Sequence, residues 1–303
     1  MTDATFSQFD ARAFAENLVR SFRISDRRRL SGQSALSIDN HRLNLAVREL
    51  DSALSGTNSK KIDLSNYIET LTTCLTPSSF EHPHITKFLE FCSQNVECVA
   101  SLNYDLIIER SCESNNISYD YGLKNWNLRR FIKFYGGELN IIKLHGSLNW
   151  YFDGDDEIYV GDDRKYRKRA IIFGGQQEKL NANGPFLTLR HEFFSKLRNT
   201  NVFAVAGYSF SDEHLNALIR SWIKTRRKAK FIVLNPESPK DIQVIYQNAF
   251  RQNKDKNNSH KLAVELVHIK RGFSQGLTPL LDELKSEPNP PDPNSSSAVR
   301  VIE

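Results

Sequence analysis

The stretch Val202–Ile219, VFAVAGYSFSDEHLNALI, reads as a buried strand that runs into Gly207, a polar turn holding Ser209 and Ser211, and an amphipathic helix. An unbroken apolar run suits a parallel strand that is covered on both faces. Ser211 is placed as the N-cap, Asp212 and Glu213 fall in the first turn, and Leu215, Leu218, Ile219 and Trp222 form the stripe that meets a sheet. Strand, turn and helix in this order make up part of a βαβ unit, so the flanking sequence should repeat the pattern.

The flanking sequence does repeat it. Short apolar runs recur as ECVASL (97–102), IIKLH (141–145), AIIF (170–173), KFIVL (230–234) and AVELVHI (263–269), with helical spacing over 187–197, 212–224, 240–250 and 277–284. The alternation predicts an α/β fold, a Rossmann-like parallel sheet flanked by helices. The run WYFDGDDEIYV interrupts it as a small hairpin with Asp153 and Gly154 at the turn.

Upstream, 11–22, 41–54, 64–75 and 86–94 carry apolar residues at helical spacing. Residues 1–95 are therefore expected to form a helical segment of the same domain, a cap or an assembly surface, ahead of a core over 96–285. The end of the chain, SEPNPPDPNSSSAVRVIE (286–303), is rich in Pro, Ser and Asn and is expected to be disordered.

Hydrophobic content of 39% with 25% charged residues, over 303 residues, is that of a globular chain able to bury a large core. Lys and Arg number 41 against 36 Asp and Glu, a net charge of +5. The basic residues bunch at 26–30, 164–169 and 224–230, which suits either a solvated face or phosphate contacts. Direct nucleic-acid binding is left open by this pattern. The cysteines at 74, 92, 98 and 112 show neither a C-x-x-C pair nor a disulfide framework, so reduced, mostly buried thiols in a cytoplasmic protein are expected. The opening MTDATFSQFDARAF lacks the charged start and apolar core of a signal peptide, and no run is long enough to span a bilayer.

Chemistry is sought at the strand ends, because open parallel sheets bind ligands there. In SLNYDLIIE (101–109), Asn103 and Asp105 sit between a strand and a helix. An amide can bind a sugar hydroxyl or a water with both donor and acceptor, while Asp105 suits either a ligand contact or a helix cap. In IIKLHGSLNWYF (141–152), His145 ends a strand and Gly146 lets the chain turn close to whatever lies above. That histidine suits either a core position or proton transfer near neutral pH. Gly207 and Ser209 offer backbone amides to a ribose or phosphate, and Asn235, in FIVLNPE, suits either an adenosine contact or a plain turn.

Together, SLNYDLIIE, KLHGSLNW and GYSFSDEHLN, in this order and spacing, resemble the sirtuin-like NAD-binding domains of bacterial anti-phage defence proteins over about residues 97 to 285. The resemblance implies binding of NAD+, as substrate, and cleavage of its nicotinamide–ribose bond. It makes Asn103 and His145 the catalytic pair, with His145 as base, and assigns Asp105, Gly146, Gly207, Ser209 and Asn235 to the NAD+ site. It also implies a homo-oligomer or a second defence protein such as a nucleic-acid motor as partner.

Two departures from the family stand out. No pair of C-x-x-C motifs exists to build a zinc ribbon, so no zinc is expected and NAD+ hydrolysis is expected ahead of protein deacylation. The first glycines, Gly32 and Gly56, follow no apolar strand, so the glycine-rich pyrophosphate turn is absent from view. The chain is then a fragment, carries a remodelled loop, or is a non-catalytic nucleotide-binding or docking module.

Overall fold

The computed structural model describes residues 83–154, 156–161, 169–172, 184–208, 210, 212–226, 228–236, 264–288 and 299–302. The helices expected over 11–22, 41–54, 64–75 and 240–250 lie outside the described residues. The fold is mixed α/β, with parallel sheets flanked by helices. The chain divides into two compact units, Met1–His82 with Val99–Leu189, and Pro83–Cys98 with Arg190–Glu303.

In the first unit β1 (Val99–Ser101) leads into α2 (Ile107–Ser114), then β2 (Tyr119–Asp120), α3 (Trp126–Arg129) and β3 (Leu139–Lys143). The three strands form a parallel sheet in the order β1-β3-β2. Central β3 is apolar and buried through Ile141 and Ile142, as a strand covered on both faces must be. The short β2 has no apolar run to announce it. It exists because Tyr119 and Asp120 pair with Leu139 and Asn140.

A second, antiparallel sheet, β5-β4-β6, is built from β4 (Gly146–Asp153), β5 (Glu157–Val160) and β6 (Arg169–Ile171). The expected hairpin is β4–β5, and Gly154 at its turn takes the left-handed conformation, with φ +78°. The run AIIF, expected in the parallel sheet, instead supplies β6, an antiparallel partner of β4. An apolar run of this length marks burial but not strand direction.

The second unit contains α1 (Pro83–Asn95), most of α4 (Phe186–Asn199), β7 (Val202–Ala206), α5 (Glu213–Thr225), β8 (Ala229–Leu234), β9 (Val264–Ile269), α6 (Phe273–Lys285) and β10 (Val299–Ile302). Its four strands are parallel in the order β10-β9-β8-β7. Every residue of β8 and β9 is buried. Ile232, Leu234, Val267, Ile269 and Leu280 form the core, and each such side chain contributes about 1.5–3 kcal/mol. Helix α6 begins a turn ahead of the expected 277 because Phe273 packs edge-on against Phe88, ring centroids 5.7 Å apart. The expectation for 286–303 did not include β10, whose Val299, Val301 and Ile302 suit a strand.

Lys230 is buried at the start of β8 and is compensated by Glu283, Glu265 and Ser286, which tie the end of α6 to the sheet. Cys92 and Cys112 are buried, Cys98 is half-buried, and none of the three is in a disulfide. Burial pushes the Cys98 thiol up to about 11 and the Cys112 thiol up to about 12, so neither offers a thiolate at neutral pH. No helix among the described residues is long and apolar enough to cross a membrane.

The cap of α5 is Asp212 rather than the expected Ser211. Its carboxylate accepts from the His214 and Leu215 amides at 3.0 and 3.2 Å. Asp212→Ala should lower unfolding free energy by about 1 kcal/mol in urea titrations, the usual cost of losing such a cap.

Candidate functional site

The turns that hold the expected residues are built differently in the two units. In the first unit, Ser101 of β1 stands opposite Lys143 of β3, and the Leu144 amide closes the ladder by donating to the Ser101 carbonyl at 3.0 Å. Asn103 and His145 each follow two residues beyond that paired position. Parallel pairing therefore brings both to the carboxyl-terminal edge of one sheet, at the same level. Asn103 is exposed, and its backbone amide donates to the Ser101 hydroxyl at 3.1 Å.

His145 is only 8% exposed. Its carbonyl accepts from the Ile172 amide at 3.0 Å, and its ring lies 6.4 Å, centroid to centroid, from that of Tyr104. Tyr104 donates its hydroxyl to the Ile172 carbonyl at 2.9 Å, and its own carbonyl accepts from Leu148. Burial pushes the Tyr104 phenol up to about 12, which keeps it a donor through neutral pH. Tyr104, one residue from Asn103, has no signal in the sequence, because an aromatic beside a turn carries no chemical signature.

Asp105 behaves as a local cap, since its carboxylate accepts from the Ile107 amide, the first of α2, at 3.2 Å. Gly146 has φ +85°, and a Cβ there would lie 2.1 Å from the Ala170 carbonyl oxygen. The close approach expected of this glycine is thus made to the chain's own β6.

In the second unit Gly207 follows β7 with φ +66°, no described residue comes within 4 Å of where a Cβ would stand, and its amide donates to the Leu234 carbonyl at 3.0 Å. Ser209 lies outside the described residues. Phe210 is buried and also left-handed, φ +55°, a conformation that costs a non-glycine residue about 1–2 kcal/mol. Asn216, on α5, offsets this by donating to the Phe210 carbonyl at 2.7 Å and accepting from the Tyr208 hydroxyl at 2.9 Å. For this reason Asn216 is buried, while Leu215 and Leu218 of the expected stripe are only half-buried and Ile219 and Trp222 are buried.

Asn235 follows the last residue of β8 and donates its side-chain amide to the Tyr208 carbonyl at 3.3 Å. His268 of β9, a buried residue that the apolar pattern concealed, places Nε2 3.1 Å from the Asn235 carbonyl. A carbonyl only accepts, so Nε2 carries the proton and donates.

Polar turns at the carboxyl ends of parallel strands are where α/β proteins of the open-sheet class bind their ligands. The chain belongs to the SIR2-like domain family, which matches residues 97–260, more than half of its length. Among solved structures, it is similar to a mutant Sir2 homologue in complex with 2′-O-acetyl ADP ribose, at 14% identity over 74% of this chain and 75% of that one, with a TM-score of 0.44. A Sir2 homologue–NAD complex is similar at 11% identity over 74% and 73%, with a TM-score of 0.41. No curated protein matches the chain in sequence.

Gly146→Ala should destabilise the protein by about 2–4 kcal/mol in urea melts, from the left-handed backbone and the contact with Ala170. Tyr104 makes a second expectation. Its folded pKa of about 12 exceeds the unfolded value near 10, so between those limits the native state holds the extra proton and stability falls as pH rises. Urea titrations at pH 9, 10.5 and 11.5 should show a shallower alkaline decline in Tyr104→Phe than in the parent.

Proposed function

We propose that this SIR2-like chain is an NAD+ glycohydrolase domain that acts in anti-phage defence. The observation that carries the reading is the β1–β3 register, which sets Asn103 and His145 at one level on one sheet edge. A base and an amide so placed suit the chemistry of a ribose. Asn103 orients the attacking water and the nicotinamide ribose, and His145 takes the proton as the water oxygen bonds to the ribose C1′. The C1′–N bond breaks with its electron pair passing to the nicotinamide ring. The products are ADP-ribose, nicotinamide and the proton that His145 releases to solvent.

Asp105 and Gly146 shape the turns of this pair, and Gly207, Ser209 and Asn235 are assigned to NAD+ binding. Depletion of NAD+ after infection, in a homo-oligomer or beside a second defence protein, follows as the cellular role, and no zinc is needed for it.

A chromatographic assay of nicotinamide release tests the reading. His145→Ala should lose about 10²–10⁴-fold in kcat, the range for a general base, and Asn103→Ala about a hundredfold. Turnover unchanged in both variants would overturn the assignment.

One observation favours a second reading, a non-catalytic nucleotide-binding module. Gly32 and Gly56 follow no apolar strand, so no glycine-rich pyrophosphate turn is visible in the sequence. Calorimetry separates the two, because NAD+ binding without any nicotinamide release belongs to the module alone.

A further inference from the structure

Burying an ammonium group at the end of an apolar strand is costly unless every proton is met. Lys143, the last residue of β3, is fully buried, with an exposure of 0%. Its Nζ donates to the Asp105 carbonyl at 2.6 Å and lies 3.2 Å from Glu109 Oε1 on α2. Glu109 is buried as well, and the Tyr121 hydroxyl donates to the same oxygen at 2.9 Å. The Asn149 amide in turn donates to the Tyr121 hydroxyl at 3.3 Å. Burial, and then the Glu109 charge, push the Tyr121 phenol far above its usual range, so it remains a donor.

Stability alone does not account for this arrangement, because a packed apolar side chain in place of a buried ion pair is commonly as stable or more so. What the ammonium adds is a grip on a loop carbonyl. Asp105 lies two residues after Asn103, and Lys143 lies two residues before His145. The Asp105 carboxylate is meanwhile committed to the Ile107 amide, so that residue is held through both its backbone and its side chain.

We propose that Lys143 is a positioning residue that, through the Asp105 carbonyl and Glu109, locks the Asn103 turn in register with the His145 turn. It touches neither the substrate nor the reacting atoms. Its catalytic consequence rests on the reading of Asn103 and His145 as the reacting pair, whereas the lock itself is independent of that reading.

Lys143→Met alone leaves Glu109 charged and buried, so the decisive protein is Lys143→Met/Glu109→Gln, in which the glutamine oxygen still accepts from Tyr121. Amide hydrogen exchange by NMR should show Asn103 and Ile107 exchanging about tenfold faster or more, with Ile141 and Ile142 of β3 within about twofold of the parent. In the nicotinamide-release assay kcat should fall about tenfold or more while KM stays within about threefold, the pattern of lost alignment rather than lost binding. Unchanged exchange at Asn103 and Ile107 overturns the proposal, as does equal loss of protection throughout β3, which would make the pair a support of the whole fold. A parent protein that releases no nicotinamide defeats the glycohydrolase reading, and the exchange measurement still decides the lock.

Discussion

Parallel strands deliver their carboxyl ends to one edge of a sheet, and most of what is distinctive in the first unit depends on how far β1 and β3 run before that edge. The pairing of Ser101 with Lys143, closed by the Leu144 amide on the Ser101 carbonyl, ends both strands at the same rung. Everything that follows must then turn. The Ser101 hydroxyl takes the Asn103 amide, Asp105 takes the Ile107 amide to start α2, and Gly146 takes the left-handed conformation that starts β4. A slip of one residue would invert the faces of one strand relative to the other and set Ile142 opposite Ser101, or Ala100 opposite Lys143.

Much of this was legible in the sequence because burial writes itself in apolar runs. The apolar runs over 97–102, 141–145, 202–207, 230–234 and 263–269 supply β1, β3, β7, β8 and β9, and Asn103, His145, Gly207 and Asn235 each come just after one of these strands, although β3 runs Leu139–Lys143 and stops two residues short of His145. Direction was not legible: AIIF has the composition of a parallel strand, yet it pairs antiparallel with β4, because composition reports environment and not partner. Polar residues with buried partners were also hidden. Lys143, Glu109, Asn216 and His268 look like surface residues by type, and only the groups that meet them explain their burial.

The second unit solves a different problem, a tight passage from β7 to α5. Two left-handed residues, Gly207 and Phe210, give the bend, and only the first is of a type that adopts it freely. The cost at Phe210 is met by burial of its ring and by Asn216, whose amide also engages Tyr208, while Asn235 holds the Tyr208 carbonyl from just past β8. The loop conformation is thus specified from the helix after it and from the neighbouring strand.

Ile172 illustrates a kind of residue that side-chain comparisons overlook. Its amide donates to His145 and its carbonyl accepts from Tyr104, so one stretch of main chain just past β6 is tethered to both turns at once. The contacts are indifferent to the identity of the side chain. Evolution is therefore free to exchange isoleucine for another apolar residue at this position, yet proline, which lacks the amide, is barred. A position can be under strict constraint in its backbone and drift in its letter.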